Sequence, residues 1–566
     1  MRSNQTVNTT GINIRKEILL WSAVVLGALV FFASLRLEHA FFGDSLDKYV
    51  QAYSIKANAF QSEELHYPAG SLDPNHDFVP YMTVTGFDRL ISPFPVAYGY
   101  ISALVLTVGS PSWIYAFSLL LALASLLLLR YKLNLGAGGI LFLVFASPFL
   151  YQYLGFGDVA LASTLSVLAL SLLLKGPSLK KGLAERSNDG LSGSDYPDYA
   201  SKAASLFAGA LFGIAVWFRM ETAIIASLAI LYFPISALLL GETRWKADNA
   251  LRRTTIRSAY ALVGFGLMLI PFFLFNENQY GHWLGSRFLY NQGGIQSFAA
   301  KWDIFVGVLL GGSMRLGFFG YMPLMLLFLA FAALRRNWIQ RANPQALTLF
   351  LLFATGPFIL ALLAPNDSNI DWGSRYLNQL LFPFAFFVSP FLGMFSGKDS
   401  ADSQERQSKS ALRITVRVVA IILLVYSVLV TILFTALISQ PPRKIKVMQK
   451  EILTVKADYR IFVSKFHAGQ LSTRLVETPV LVLEDASLEQ IDGLIQKMKE
   501  SDVGTVALYT LDYELKGSPE EVQSQVLRDK DRSEKIQSLF DSRLELLERK
   551  ALKDSSVRIY RTDNRP

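Results

Sequence analysis

The 566-residue chain contains no cysteine, so disulfides, thiol nucleophiles and cysteine-ligated metals are all excluded. Histidine is scarce as well, with five in the chain, and His39, His66, His76 and His282 show no compact metal-ligand spacing. They read as interfacial or loop histidines. Charged residues make up 17%, and the long apolar runs are nearly free of them. No repeat of 20–50 residues is visible, which weakens a solenoid reading and gives no support to transporter folds built from internal duplication. A basic stripe interleaved with stacking aromatics is also missing, so the net charge of +9 calls for no nucleic-acid partner.

What the chain has in abundance is apolar sequence. Hydrophobic residues reach 52%, more than one soluble core could hide. Runs near 18–35, 94–109, 113–129, 137–153, 159–174, 203–217, 222–240, 259–275, 318–334, 345–364, 380–396 and 418–438 recur at the length of membrane helices, for which about 20 apolar residues suffice. The fold class is therefore a polytopic α-helical membrane protein with about 11–12 membrane helices. The first run is too long for a cleaved signal and is followed by Arg36, Leu37, Glu38 and His39 rather than a small-residue cleavage site, so it reads as a retained anchor.

Lysine and arginine sit mainly between the runs and set an expected orientation. Arg2, Arg15 and Lys16 place the N-terminus in the cytoplasm, and the loops carrying Arg130/Lys132, Lys175/Lys180/Lys181, Arg244/Lys246/Arg252/Arg253/Arg257, Arg335/Arg336/Arg341 and Lys398/Arg406/Lys409/Arg413 should lie there too. These agree if 94–109, introduced by Pro93-Phe94-Pro95, is re-entrant or lies on the surface. The preferred count is then about eleven full crossings, and most polar sequence of unusual character falls on the outer face. The 176–202 loop reads as a solvated cytoplasmic connector.

Composition changes sharply after residue 438. The division is a membrane domain, 1–438, with a large outer loop at 36–93, and a soluble extracytoplasmic α/β domain, 439–566. In the latter, 479–484, 503–510 and 556–561 read as strands and 487–500 and 532–549 as helices.

The segment most able to support chemistry is 43–58, GDSLDKYVQAYSIKAN, just after the first apolar run. As a helix from Gly43 or Asp44 it sets Asp44, Asp47, Lys48, Gln51 and Ile55 on one stripe. A partly desolvated carboxylate at the membrane boundary can serve as a general base, and a nearby lysine can hold phosphate. The plainer alternative makes Asp44 a helix cap and Asp47 a first-turn acid. Asp158 is a lone acid between two apolar runs, either functional or a cap. Arg219 and Glu221 read as an i,i+2 boundary pair. Asp371-Trp372-Gly373-Ser374-Arg375-Tyr376 puts an arginine among aromatics before a span, suited to a phosphate or sugar face or to interfacial anchoring.

Together these pieces resemble the GT-C glycosyltransferases, polytopic enzymes that move a sugar from a polyprenyl-phosphate carrier at the outer membrane face. The resemblance lies in Gly43-Asp44 through Ala52, the Tyr/Pro-rich first loop leading to Pro93-Phe94-Pro95, Asp158, the segment Asn278 to Ser286, and Gly373 to Leu377 followed by Pro383. It covers roughly 1–438 and looks most similar to the protein O-mannosyltransferase and lipid A aminoarabinose transferase group. That group often shows an adjacent Asp-Glu pair, whereas Ser45 follows Asp44 here, so the base position falls to Asp44 or Asp47, with Asp44 preferred as nearest the span.

The resemblance implies an inverting transfer with Asp44 and Asp47 as catalytic residues. Lys48, Arg375 and Tyr376 would bind the donor phosphate, and Asp158 would orient the acceptor or a metal. A monophosphate-linked donor can react without metal, while some members of the class bind a divalent ion, magnesium or manganese. The implied partners are a polyprenyl-phosphate-linked sugar donor, a glycan, lipid or protein acceptor, and membrane lipids. The implied location is a bacterial inner membrane, with the C-terminal domain in the periplasm. The rival reading is a secondary transporter, which would place its polar site at mid-membrane, or another polytopic membrane protein without transferase activity.

Overall fold

The computed structural model describes residues 14–35, 41–155, 157–174, 198–240, 247–291, 297–312, 315–334, 343–366, 372–393, 406–501, 503–511, 520–552 and 555–562. Asp371, His39 and the basic residues Arg2, Lys175, Lys180, Lys181, Arg244, Lys246, Arg335, Arg336, Arg341 and Lys398 lie outside them. Eight described helices are long and apolar enough to cross a bilayer: Ile14–Ser34, Ser112–Lys132, Gly157–Leu174, Ser201–Phe218, Thr222–Leu240, Ala250–Tyr280, Pro344–Leu363 and Ile414–Thr454. The protein is an integral membrane protein. Apolar side chains such as Leu26, Val30, Leu262 and Leu274 stay exposed on these helices, as a hydrocarbon solvent permits.

The other four apolar runs of the sequence fold differently. Residues 137–153 become Ala137–Phe145 and Phe149–Gly155, bent by 56°. The break falls at Ser147-Pro148, where proline lacks a donor and disfavours a helical predecessor, and Ser147 Oγ donates to the Leu143 carbonyl. Residues 318–334 split into Phe318–Tyr321 and Leu324–Leu334 around Pro323, and 380–396 contains Leu381–Gly393 behind a 3₁₀ turn. Residues 94–109 give Val96–Val108, whose 13 residues reach only about 20 Å, short of the ~30 Å of hydrocarbon.

The chain divides into two compact units. The first comprises Met1–Ser34, Ala116–Phe275 and Gly294–Leu437. Its helices approach closely where glycines allow it: a Cβ on Gly209 would sit 1.8 Å from the Ala261 carbonyl oxygen, and one on Gly264 would sit 1.9 Å from that of Leu206. Small residues at helix crossings are how membrane helices gain packing without a hydrophobic driving force.

The second unit comprises Leu35–Tyr115, Asn276–Gly293 and Ile438–Pro566. The compact body is thus larger than the charged C-terminal stretch alone. Its sheet has five strands, β1 (Tyr459–Phe462), β2 (Val480–Val482), β3 (Thr505–Leu511), β4 (Glu545–Ala551) and β5 (Ser555–Arg561), in the order β2-β1-β3-β5-β4. β1 is parallel to both β2 and β3, whereas β5 is antiparallel to β3 and β4. The helix Leu488–Glu500 is started by a capping box between Ser487 and Gln490. Two details depart from the sequence pattern. β1 was not anticipated, because four residues carry too little periodicity. Residues 545–549 continue no helix; they form the edge strand of a hairpin, and the helix, Glu520–Arg543, ends before them.

The loop after the helix Asp44–Ala57 belongs to this body. Ala69, Leu72 and Phe78 are buried in one core with Ile461, Leu481 and Ile495 of the sheet domain. The Phe78 carbonyl accepts the Val482 N–H at 2.8 Å, so the loop covers the β2 edge that would otherwise be open. Asp73, 2% exposed, shapes the loop by accepting from the Tyr67 hydroxyl and the Asp77 and Phe78 amides. Phe78→Ala should therefore loosen the C-terminal domain, costing about 3–5 kcal/mol. Faster protease cleavage between residues 440 and 566 is the expected readout, and unchanged cleavage would refute the shared core.

Candidate functional site

The second unit carries Asp44, Asp47 and Lys48 together on the helix Asp44–Ala57. Gly43 occupies the position before the helix with φ +53°, and no side chain caps it, so Asp44 opens the helix rather than capping it. Ser45 braces the entry instead, its Oγ donating to the Phe42 carbonyl at 2.7 Å and accepting the Phe42 amide at 3.1 Å. Acids in this first turn are favoured by the helix dipole.

Asp47 is buried, and its Oδ1 accepts the Met82 N–H at 3.1 Å. Burial pushes its carboxyl up to about 7; the Met82 amide opposes this, Asp44 adds to it, and Lys465 and Lys48 pull the other way. Lys48 is 4% exposed, with Nζ 5.1 Å from the Phe94 ring centre and 5.9 Å from that of Tyr98. Gln51 Nε2 donates to the Phe94 carbonyl at 3.1 Å, and Ile55 and Gln51 lie against Gly99. Of the stripe read from the sequence, Lys48, Gln51 and Ile55 thus face Phe94 and the start of the helix Val96–Val108, whereas Asp47 meets the Met82 amide.

Two residues escaped the sequence reading. Arg287 lies with Cζ 5.0 Å from the same Phe94 ring that Lys48 approaches, so one aromatic ring carries two cations. Glu63, 3% exposed, accepts from Gln279 Nε2 and the Tyr280 hydroxyl, each at 2.7 Å, with Arg89 at 3.8 Å. This ties the Asn278–Ser286 segment to the loop after the helix Asp44–Ala57. Only the partners' distance in sequence, more than 200 residues, concealed it.

The first unit carries Asp158, Arg375 and Tyr376, joined through Arg219. Arg219 bridges two acids, Asp158 Oδ2 and Glu221 Oε1, each at 3.1 Å, so it is more than an i,i+2 partner of Glu221. Its guanidinium Cζ stands 5.9 Å from the Tyr376 ring centre and that of Arg375 stands 6.0 Å from it. The Tyr376 hydroxyl donates to Asn366 Oδ1 at 2.7 Å.

Backbone strain accompanies this cluster. Gly373 has φ +81°, with no room for a Cβ beside Pro148, and Ser374 has φ +49°, a conformation costing a non-glycine residue about 1–3 kcal/mol. The following turn, Arg375–Leu380, is pinned by Asn378 to Gln152 at 2.7 Å and by Gln379 to Thr222 at 2.8 Å. Trp372 stacks on Phe434 at 4.9 Å. The six residues expected at the site therefore form two groups of three, one in each unit. Among the described residues, no three His, Asp or Glu side chains gather as a metal-binding group.

No family model matches the chain, and no curated protein matches it in sequence. Solved structures do. A crystal structure of ArnT from Cupriavidus metallidurans bound to undecaprenyl phosphate aligns over 97% of this chain and 98% of its own, with a TM-score of 0.50 and 11% identity. The oligosaccharyltransferase AglB from Archaeoglobus fulgidus, solved with an inhibitory peptide and a dolichol-phosphate, aligns over 87% of this chain and 69% of its own, with a TM-score of 0.47 and 12% identity. Along nearly its whole length the chain shares the fold of that ArnT structure.

Proposed function

We propose that the protein is an inverting glycosyltransferase that moves a sugar from a polyprenyl-phosphate donor to a glycan, lipid or protein acceptor at the outer face of a bacterial inner membrane. The observation that carries this reading is the acid pair on a helix that closely follows the first membrane helix, in a chain with the fold of ArnT. The ArnT structure holds undecaprenyl phosphate, the kind of carrier such a reaction would release. The N-terminus would lie in the cytoplasm and the C-terminal sheet domain in the periplasm.

The chemistry required is a proton acceptor for the attacking group and cations for the departing lipid phosphate. Asp44 is the proposed base, half-buried at the helix start behind Gly43. A second reading exchanges the carboxylates, because Asp47 is the buried one with its carboxyl near 7, the range suited to general-base work. Lys48 and Arg287 about Phe94, and Arg375 beside Tyr376, are the proposed phosphate-side groups. Asp158, held by Arg219, orients the acceptor or a metal.

Three outcomes test these roles in detergent-solubilised protein, with release of polyprenyl phosphate as the assay. Asp44→Asn should lower kcat by at least about 100-fold, the usual worth of a general base, with unchanged chromatographic behaviour; wild-type activity would remove Asp44 from the mechanism. If Asp47 is the base, kcat/KM should rise with pH through about 7 in the wild type, since only the ionised carboxylate accepts a proton, and Asp47→Asn should be inactive. Arg287→Ala should raise KM for the lipid-linked donor by about 10-fold or more, the worth of one hydrogen bond to a charged group. An unchanged KM would make Arg287 structural only.

A further inference from the structure

A strained backbone step persists only where the structure around it holds it in place. In the first unit Gly373-Ser374 is such a step, with φ +81° at Gly373 and +49° at Ser374, which is 2% exposed. It opens the 3₁₀ turn Arg375–Leu380, on which Arg375 is buried with Cζ 6.0 Å from the Tyr376 ring centre. Two backbone bonds hold the step itself: the Gly373 N–H donates to the Leu316 carbonyl at 2.8 Å, and the Leu377 N–H to that of Ser374 at 2.9 Å. Two side-chain bonds hold the far end of the turn. Asn378 Nδ2 donates to Gln152 Oε1 at 2.7 Å, and Gln379 Nε2 donates to Thr222 Oγ1 at 2.8 Å. Asn378 Oδ1 in turn accepts from Ser163 Oγ at 2.9 Å, so both ends of its amide are engaged.

Gln152 belongs to the short helix Phe149–Gly155, and its backbone N–H donates to the Pro148 carbonyl at 2.9 Å. Pro148 is also the residue on which Gly373 packs, since a Cβ on Gly373 would sit 2.4 Å from its Cγ. One helical turn therefore meets the strained step through Pro148 and the end of the 3₁₀ turn through Gln152. Stability alone does not account for the side chains that make these contacts. Among the described residues, Gln152 Nε2, Gln379 Oε1 and Ser374 Oγ are buried without a hydrogen-bond partner. A buried polar atom in that condition is unfavourable, and apolar side chains of similar shape would avoid it. Three such atoms about one strained turn mark a segment whose geometry is kept against its local stability, as at functional positions.

We propose that Gln152 and Thr222 are positioning residues for Arg375: through Asn378 and Gln379 they hold the 3₁₀ turn behind the strained Gly373-Ser374 step, and so fix where the guanidinium stands beside Tyr376. The benefit to phosphate binding rests on the transferase reading, in which Arg375 is a phosphate-side group, but the hold on the turn does not.

The test uses the full-length protein in detergent and two readouts: hydrogen exchange at the Gly373 and Leu377 amides, followed by mass spectrometry, and binding of undecaprenyl phosphate. Gln152→Leu removes the acceptor of Asn378. Thr222→Val, which matches the shape of threonine, removes the acceptor of Gln379 and guards against a folding defect of the leucine variant. Each should speed exchange at those two amides and weaken binding by about 5-fold, the worth of one hydrogen bond between neutral groups. Adding Ser374→Gly to either variant should restore both readouts, because glycine takes a positive φ without the steric penalty that the two side-chain bonds offset. Unchanged exchange in both variants, or a loss that Ser374→Gly leaves unrepaired, as a general packing defect would, would overturn the proposal. Exchange that follows the expected pattern while affinity for undecaprenyl phosphate stays fixed would overturn Arg375's place in the proposed function and leave the hold on the turn standing.

Discussion

A charge withdrawn from water must be compensated where it lies, and the polar architecture of this protein follows from that constraint. Apolar helices supply the bulk of the first unit, and the few ionised groups inside it come in sets. Arg219 answers both Asp158 and Glu221, and Arg130 meets Glu17. In the second unit Glu63 is surrounded by donors from a segment far along the chain. Asp47 is the instructive exception. A backbone amide, that of Met82, donates to it, and the surrounding charges only partly offset its burial. A carboxyl left in that condition changes its proton near neutral pH, which is the property the proposed general-base role calls for.

Much of this was legible before any coordinates. Membrane class follows from apolar run length alone, and the helix Asp44–Ala57 lies within one residue of the 43–58 segment marked by its charge pattern. The stripe of Asp47, Lys48, Gln51 and Ile55 came from helical periodicity, which needs no tertiary information. What could not be read were partnerships across long stretches of chain. Arg287 shares a ring with Lys48 from 239 positions away, and nothing near Arg287 in sequence announces it. Asp158 looked solitary because its partner, Arg219, is 61 residues on and appeared already matched with Glu221. Short elements were lost for another reason: β1 spans four residues, and 545–549 carries the alternation of neither a clear helix nor a clear strand.

The division into a membrane domain and a tail obscures how the second unit is assembled. Residues 67–82 enter the sheet domain's core and return to the acidic helix through the Met82 amide. The 3₁₀ segment after β1, Gly469–Val476, reaches the same helix from the opposite end of the sequence. The carboxylates are thus held within a folded body instead of on a free loop, the kind of preorganisation that a chemical role would need.

The pairing of Phe78 with Val482 also has a temporal side. About 400 residues of synthesis separate the two, so at 5–20 residues per second the loop emerges on the order of 20–80 s before its strand exists. Throughout that interval Leu72 and Phe78 have no core to enter. Biogenesis must shelter a half-finished surface while every later membrane helix is inserted, and a lesion near residue 482 would first be felt as failed maturation of a segment translated long before it.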